Sequence, residues 1–519
     1  MITAPMSASA STPATIEESP ASRSRFAVVV TLAWFVATIP RLLTHELWRD
    51  EAWLWLVALD SRSVGELVQP LARSGQGYLF PILCFLARQF SESPRAMQLV
   101  HLAAAGGATY VLARWAPFGR SERVLLLLGY LTFYEYAVIS RHYAVGMLLL
   151  WLACVFAKHR PSVIGLGVAL GLACQTTIYA FILAIAIACG WLLDRRLRSA
   201  EVAPLRLRDA AIGGTLGLLG AIAGLIQLMP SSGTSFAPGW KLAWDTQHAL
   251  KLLRLPWRSF VPTPRLEVQS WNTNILDPWL TLQSFAGLAI LVLAAVVLRR
   301  RPVALATFAI GAAGLLVFGY TKYIGEMRHG GHFWLLFVAA IWLGGGLEAS
   351  RQATWRSRAL LALLALQAMA GLFASWNDLR HPFTNAPATA ELLRSSGLDA
   401  LPLLGHREPP AASIALASGR ALYAPSRAIF AKYPDYGPKQ REMGNAELRC
   451  IARALSRREA RDIVLVINRE LPVWAENDPA GAVTGSICRS EDYWLYRMRL
   501  DRLASSANDA NCADRASER

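Results

Sequence analysis

Ionisable and aromatic residues crowd into a few short stretches of this 519-residue chain. One is His45-Glu46-Leu47-Trp48-Arg49-Asp50-Glu51-Ala52-Trp53, an acidic pair beside an arginine. Tyr134-Glu135-Tyr136 and Ser140-Arg141-His142-Tyr143 close an apolar run, and Lys322, Tyr323, Glu326, Arg328, His329 and His332 share another turn. These types suit transfer of a group from a phosphate-linked lipid. A carboxylate takes the proton of an acceptor hydroxyl. Arg, Lys and His hold a phosphate and stabilise its charge as it leaves. Aromatic rings cover an apolar sugar face or a lipid tail. On this reading Asp50 is the candidate base and Glu51 its orienter or a second acid. Desolvation near the membrane surface is expected to raise the Asp50 pKa, which suits a base. Arg49, Glu135, Arg141, His142, Tyr143, Lys322, Arg328, His329 and His332 are candidate contacts to substrate or phosphate.

Each residue also has a plainer reading. Asp50 and Glu51 suit the positive end of a helix that starts there. Arg141 suits a snorkelling anchor at the end of a span, and Glu135 a pair with Arg141. His329 and His332 lie one turn apart, but no third His or Cys stands near them, so no metal site is assigned. A divalent metal is compatible with the sequence and not required by it; cofactors are left unassigned. Trp240, Trp244, Trp257 and Trp271 read as interface anchors before sugar platforms. His101 reads as a satisfied polar residue inside a bundle, and Tyr433-Pro434-Asp435-Tyr436 as a turn.

The elements that position these residues follow from composition. Hydrophobic residues make up 54% of the chain and charged ones 17%, with a mean hydropathy of +0.33. An average soluble domain is roughly 25% charged. The balance excludes a disordered chain, a disulfide scaffold and a fibrous protein. The net charge of +16 does not point to nucleic acid, because most Arg lies in clusters between apolar runs and no nucleic-acid-binding motif accompanies it.

Candidate spans are 26–43, 97–113, 124–140, 143–157, 161–175, 177–193, 210–229, 279–298, 302–321, 330–347 and 359–376. Their connections alternate between basic and not. The basic set is Arg114/Arg120/Arg123, Lys158/Arg160, Arg195 to Arg208, Arg299-Arg300-Arg301 and Arg351/Arg356/Arg358. The positive-inside rule places these in the cytoplasm. The periplasmic side then holds the segment 44–96, the loop 230–278 and everything after 376. The charge-free stretch 161–193 would make a single helix about 50 Å long, against a hydrocarbon core of about 30 Å, so a break is predicted at Gln175-Thr176-Thr177. Residues 78–90 read as a juxtamembrane helix, and Glu51–Leu59, with Trp53 and Trp55, as a second interfacial helix.

Residues 1–24 read as a disordered cytoplasmic tail, and 506–519 as a disordered tail on the opposite side. Between 377 and 505, strand-length runs (Leu401–Leu404, Asp462–Ile467, Tyr493–Met498) alternate with helical stretches (Ala388–Ser395, Ala446–Arg457). That predicts a small α/β domain with a partly parallel sheet. Outside the membrane, Cys450 and Cys488 could be bridged.

The motifs Arg49-Asp50-Glu51-Ala52-Trp53 and Ser140-Arg141-His142-Tyr143 resemble those of the GT-C membrane glycosyltransferases. The resemblance is nearest to the RgtA/B/C/D-like and aminoarabinose-transferase-like branch. The order of elements fits residues 25–376 as the transmembrane domain, with the C-terminal domain following. The resemblance implies an inner-membrane enzyme with about eleven membrane helices. It also implies a polyprenyl-phosphate sugar donor, a lipid-linked or envelope glycan acceptor, and usually inversion. The acidic residue after the first span would then be the base or its orienter. Many relatives carry His-Pro-Pro-Leu-Tyr at the juxtamembrane helix. This chain has Gln76-Gly77-Tyr78-Leu79-Phe80-Pro81, which makes Gln76 a candidate substrate contact that cannot serve as a cation. A transporter or flippase, or an O-antigen polymerase or ligase, would handle the same lipids. The first would line a path through the bilayer with polar residues, and the second would lack the early acidic pair.

Overall fold

The computed structural model describes residues 19–229, 231, 233–235, 239–346, 355–438 and 440–503. Helix α1 (Pro20–Thr44) opens at Ser19, whose hydroxyl accepts from the Ser22 amide at 3.2 Å, with Pro20 in the first turn. Residues 20–24, expected in the N-terminal tail, are therefore helical; the rest of that tail, 1–18, and the tail 506–519 lie outside the described residues. Then come α2 (Arg49–Asp60), α3 (Val64–Leu71), α4 (Leu79–Arg88) and α5 (Arg95–Trp115). At about 1.5 Å per residue, α4 is roughly half the thickness of a bilayer core, in keeping with a juxtamembrane helix.

The span expected over 124–140 is broken. Helix α6 (Arg120–Leu127) stops before Gly129, and a single π-helical segment runs from Tyr130 to Glu135. The Thr132 hydroxyl donates to the Leu126 and Gly129 carbonyls, which disturbs the helical ladder at that point. Helices α7 (His142–Lys158), α8 (Val163–Ala173), α9 (Ile178–Leu197) and α10 (Leu207–Leu228) follow. The charge-free stretch is two helices, parted where the sequence predicts. Thr177 caps α9 by accepting from the Ala180 amide at 3.1 Å. The remaining helices before the C-terminal domain are α11 (Thr246–Phe260), α12 (Leu280–Leu298), α13 (Pro302–Thr321), α14 (Met327–Gly330), α15 (His332–Leu343) and α16 (Trp355–Arg380).

Among the described residues, seven helices are long and apolar enough to cross a membrane: α1, α5, α9, α10, α12, α13 and α16. The chain is a multi-pass membrane protein. The expected spans at 143–157, 161–175 and 330–347 are shorter helices of 17, 11 and 12 residues. Helix α10 buries only Gly213 and Gly224 and turns Leu218, Leu219 and Ile226 outward, as a lipid-facing helix would. It packs on α8 through glycines. A Cβ at Gly220 would stand 2.4 Å from the Gly171 Cα, so small residues are what let the two backbones meet.

The C-terminal domain holds α17 (Ala386–Ser395), β1 (Leu403–Gly405), α18 (Glu408–Ser418), β2 (Leu422–Ala424), β3 (Ile429–Ala431), α19 (Asn445–Glu459), β4 (Ile463–Ile467), β5 (Asn477–Val483), β6 (Tyr493–Met498) and α20 (Leu500–Leu503). The sheet order is β3-β2-β1-β4-β6-β5. Strand β1 runs parallel to β2 and β4, and the other pairs are antiparallel. The partly parallel sheet is as expected. The short strands β2 and β3 carry too few residues for a periodic signal. Cys450 is disulfide-bonded, but Cys488 is a buried free thiol, so the two are not joined to each other.

Helix α2 departs from its expected place at the lipid interface. Residues Glu51 to Ala58 are all buried, Trp53 and Trp55 included. Helix α18 packs on one side of α2 and α4 on another. The Trp53 indole donates to the Pro434 carbonyl at 3.0 Å. The C-terminal domain thus covers the apolar face that the sequence pattern assigns to lipid.

Candidate functional site

The site forms where α1 ends and α2 begins. Helix α2 starts at Arg49 because Glu51, in its first turn, reaches back to accept from the Trp48 amide at 3.3 Å. This fixes Asp50 one residue into the helix, facing three guanidinium groups. Its Oδ2 lies 3.1 Å from Arg141 Nη1 and 3.8 Å from Arg328 Nη2, and its Oδ1 lies 4.0 Å from Arg49 Nε. The Asp50 side chain keeps 21% of its exposure, so it is reachable from outside.

Burial alone would raise the Asp50 pKa. Arg141, Arg328 and Arg49 outweigh that effect and hold it below the usual carboxylate value. The expectation of a raised pKa is therefore corrected. Desolvation is present, but three cations surround the group, and only the fold brings Arg141 and Arg328 to it.

Glu51 does not face the opening. It is fully buried, and its Oε1 accepts from the Ser140 amide. Its Oε2 lies 3.2 Å from His45 Nε2, and His45 Nδ1 lies 3.2 Å from Asp378 at the end of α16. Burial would lower the His45 pKa, but Asp378 and Glu51 raise it well above its ordinary value. A cationic His45 thus sits between two carboxylates and ties α1, α2, α16 and the turn before α7 together. Glu51 thereby holds the Trp48 and Ser140 amides, close in the chain to Asp50 and Arg141.

Arg141 is buried at the start of α7, and its Nη2 donates to Gln76 Oε1 at 3.4 Å. His142 Nε2 lies 3.1 Å from the Gly77 carbonyl, which holds the Gln76-Gly77 segment in place. Only glycine fits there, since a Cβ at Gly77 would stand 2.1 Å from the Gln175 carbonyl oxygen. Gln76 thus supports a guanidinium as a neutral acceptor, and His142 is spent on backbone.

Arg328 leaves α14 with its guanidinium over the rings of Trp48 (5.2 Å) and Trp271 (5.5 Å). Burial opposes its charge, but Tyr143, Asp50 and Glu135 sustain it and raise its pKa. Beside it, Tyr143 stacks on Tyr136 at 5.0 Å and edges toward His332 at 5.9 Å. The Tyr179 ring lies 5.0 Å from His329 and 5.2 Å from His332. His329 Nδ1 accepts from the Glu326 amide at 2.7 Å. Burial, with Arg328 next to it, pushes the His329 pKa well below the ordinary value, so His329 is neutral here and not one of the cations. The two histidines belong to an aromatic nest.

Two further candidates stand apart from Asp50. Glu135 accepts from the Tyr130 hydroxyl and the Trp271 indole, each at 3.0 Å, so the expected pair with Arg141 does not form. Its second oxygen is buried with no hydrogen-bond partner. Lys322 lies with its ammonium 5.0 Å from the Trp240 ring. Among the described residues, no group of three or more His, Cys, Asp or Glu is placed to hold a metal ion.

The sequence reading passed over several residues of this site. Trp48, Trp271 and Phe383 pack edge to face around Arg328, with Trp48 and Trp271 4.6 Å apart. Trp271 is thus part of the site, whereas Trp240 and Trp244 are exposed, as interface anchors would be. Trp257 donates to Asn274 Oδ1 at 3.2 Å. Asp378 and Glu491 were also missed. Glu491, in the C-terminal domain, accepts from the Arg49 amide at 3.3 Å. The sole hint at sequence level is His45 beside the acidic pair.

No family model and no curated protein matches the chain. Among solved structures it is similar to the crystal structure of ArnT from Cupriavidus metallidurans bound to undecaprenyl phosphate. That likeness covers 91% of this chain and 97% of the other, with 13% identity and a TM-score of 0.45. For the apo state of the same protein the figures are 92%, 98%, 13% and 0.46. Likeness at this level leaves the reading of the site to its own residues.

Proposed function

We propose that this chain is a GT-C-type membrane glycosyltransferase that moves a sugar from a polyprenyl-phosphate donor to a hydroxyl of a lipid-linked or envelope glycan. The observation that carries the reading is Asp50, a reachable carboxylate ringed by the guanidiniums of Arg49, Arg141 and Arg328. Asp50 is their counter-ion. The donor phosphate is the better partner, because guanidinium forks suit its oxygens. When it takes Arg141 and Arg328, Asp50 loses the charges that hold its pKa down and becomes a stronger base. The acceptor oxygen then attacks the anomeric carbon from the face opposite the phosphate and passes its proton to Asp50. The bond from that carbon to the phosphate oxygen breaks, and the bond electrons leave on the phosphate, whose charge Arg141 and Arg328 stabilise. The anomeric centre inverts. Arg49 steadies Asp50, and the nest of Tyr143, His329 and His332 offers a face for the sugar or the first isoprene unit.

The periplasmic face of the inner membrane is the proposed location of the site. The alternation of Arg clusters supports a cytoplasmic N-terminus. The disulfide at Cys450 supports an oxidising compartment for the C-terminal domain. The test uses purified protein in lipid, a panel of radiolabelled polyprenyl-phosphate sugars and envelope glycolipids as acceptors. Transfer that Asp50→Asn and Arg141→Ala lose supports the reading. Donor binding or flipping without transfer by the wild type overturns it in favour of a transporter.

A further inference from the structure

The seam between α2–α3 and the C-terminal domain carries an open cleft of about 380 Å³, within the range of roughly 300–1,000 Å³ that small-ligand sites occupy. Asp60, Glu66, Gln69, Arg73, Arg427, Tyr433 and Asp435 line it. Its wall is mainly polar. Three carboxylates face two guanidiniums, and Lys432 pairs with Asp60 at 3.3 Å, so the cleft has no excess of positive charge and is a poor seat for phosphate. Side-chain acceptors and donors set beside a single tyrosine ring instead suit a neutral or amino-bearing sugar, whose hydroxyls need both and whose C–H face needs an aromatic surface.

The cleft is connected to Asp50 in two ways. Asp60 and Asp50 lie on the same helix, ten residues and so about 15 Å apart. The turn that supplies Tyr433 and Asp435 then runs to Tyr436, whose ring packs on Trp53 at 5.5 Å and whose phenol feels the charges of Asp50, Arg49 and Arg141. That turn is held in an unusual shape. Tyr436 has φ +53°, a region costly for a residue with a side chain. Its carbonyl accepts from the Ser235 amide at 2.9 Å and the Thr234 hydroxyl at 3.1 Å. Arg73 is ion-paired to Asp435 across the seam. Strain of this kind persists where the surroundings enforce it. Here they do so on the turn that borders the cleft and packs against α2.

We propose that this cleft is the subsite for a distal sugar of the acceptor glycan, held at the seam while another part of the same glycan presents its hydroxyl at Asp50. The proposal rests on the glycosyl-transfer reading above, and a ligand reaching from Asp60 to Asp50 needs more than one sugar ring.

The test uses the full chain in lipid nanodiscs, with delipidated oligosaccharides released from envelope glycolipids by mild acid as the probe. Binding is read by saturation-transfer NMR, without donor. Two variants address the cleft: Tyr433→Ala, and Gln69→Trp at an exposed position, which fills the cleft without disturbing the core. Both should weaken oligosaccharide binding roughly tenfold, the loss of about one good polar contact, while Asp50→Asn still binds. In transfer assays both should raise the KM for acceptor by a similar factor and leave the donor KM and kcat unchanged. Wild-type binding and acceptor KM in both variants would overturn the subsite, as would a wild type that binds no oligosaccharide. If the wild type binds oligosaccharide in a Tyr433-dependent way yet transfers nothing from any donor, the cleft stands as a sugar site and the transfer reading falls.

Discussion

Asp50→Asn separates the two things asked of Asp50, which are to balance three guanidiniums and to accept a proton. The amide keeps the shape and loses the charge. At an effective dielectric of about 20, a unit charge pair interacts by about 5 kcal/mol at the 3.1 Å of Arg141 and about 4 kcal/mol at the 3.8 Å of Arg328, before desolvation is counted. In the wild type, an arriving phosphate must displace Asp50 from these cations. In the variant it does not. Asp50→Asn should therefore bind polyprenyl phosphate at least as tightly as wild type while its kcat falls by about 10²–10⁴-fold, the usual worth of a positioned base. Single-turnover transfer and a lipid-binding titration on the same preparation read the two quantities. The pH dependence adds a third. The Asp50 pKa is depressed in the free site, so the group loses its proton-accepting form only as pH falls through a value below the ordinary one. The acid limb of kcat/KM, which reports the free enzyme, should lie below about pH 4. The acid limb of kcat, which reports the donor-bound enzyme, should lie higher, because the phosphate has taken the cations. Full transfer by Asp50→Asn, loss of lipid binding by it, or a kcat limb below that of kcat/KM would refute the reasoning.

Removing Arg141 or Arg328 by substitution with Ala should weaken donor binding about 10- to 100-fold, one charge-assisted hydrogen bond each, measured as donor KM and as binding of polyprenyl phosphate. Glu51→Gln leaves a charged, buried His45 facing only Asp378 and should cost about 3–5 kcal/mol, seen as a lower melting temperature in detergent together with lost activity. The His45 pKa is raised in the fold, so its contribution is complete below its unfolded value and fades as pH rises toward the folded one. Wild-type melting temperature should accordingly drop above about pH 6.5, and that drop should be absent from His45→Gln. Gly220→Val should disrupt the α8–α10 contact and lower the yield of folded protein, assayed by size-exclusion chromatography, because its side chain would meet the Gly171 backbone.

The membrane class, the helix break at Gln175-Thr176-Thr177 and the α/β character of the C-terminal domain are legible in the sequence, because they follow from hydropathy, charge placement and strand-length runs. So is the grouping of Asp50, Arg141 and Arg328, since all three stand where apolar runs end on one side. Three things were not. Apolar content at α2 cannot distinguish a lipid neighbour from a protein one, and α18, which covers it, lies about 350 residues away in the chain. The pKa of Asp50 depends on distances to three cations that only tertiary contacts set. Glu51 and Asp50 are adjacent carboxylates, yet one turns inward to His45 and the other outward to the arginines. Helical geometry sends neighbours about 100° apart, but nothing in the residue types says which faces the opening.

The burial of α2 by the C-terminal domain has a bearing on how the protein is made. Arg49, Asp50 and Glu51 emerge from the ribosome early, while α18 and Glu491, which cover and anchor their helix, emerge nearly last. Until then, Trp53 lacks the Pro434 carbonyl and the Tyr436 ring it rests against, and the Arg49 amide lacks its acceptor. A chain lacking α18 and Glu491 thus lacks contacts that hold α2, and Asp50 with it, in place. A nonsense mutation between α16 and α18 would leave the membrane helices complete and α2 uncovered.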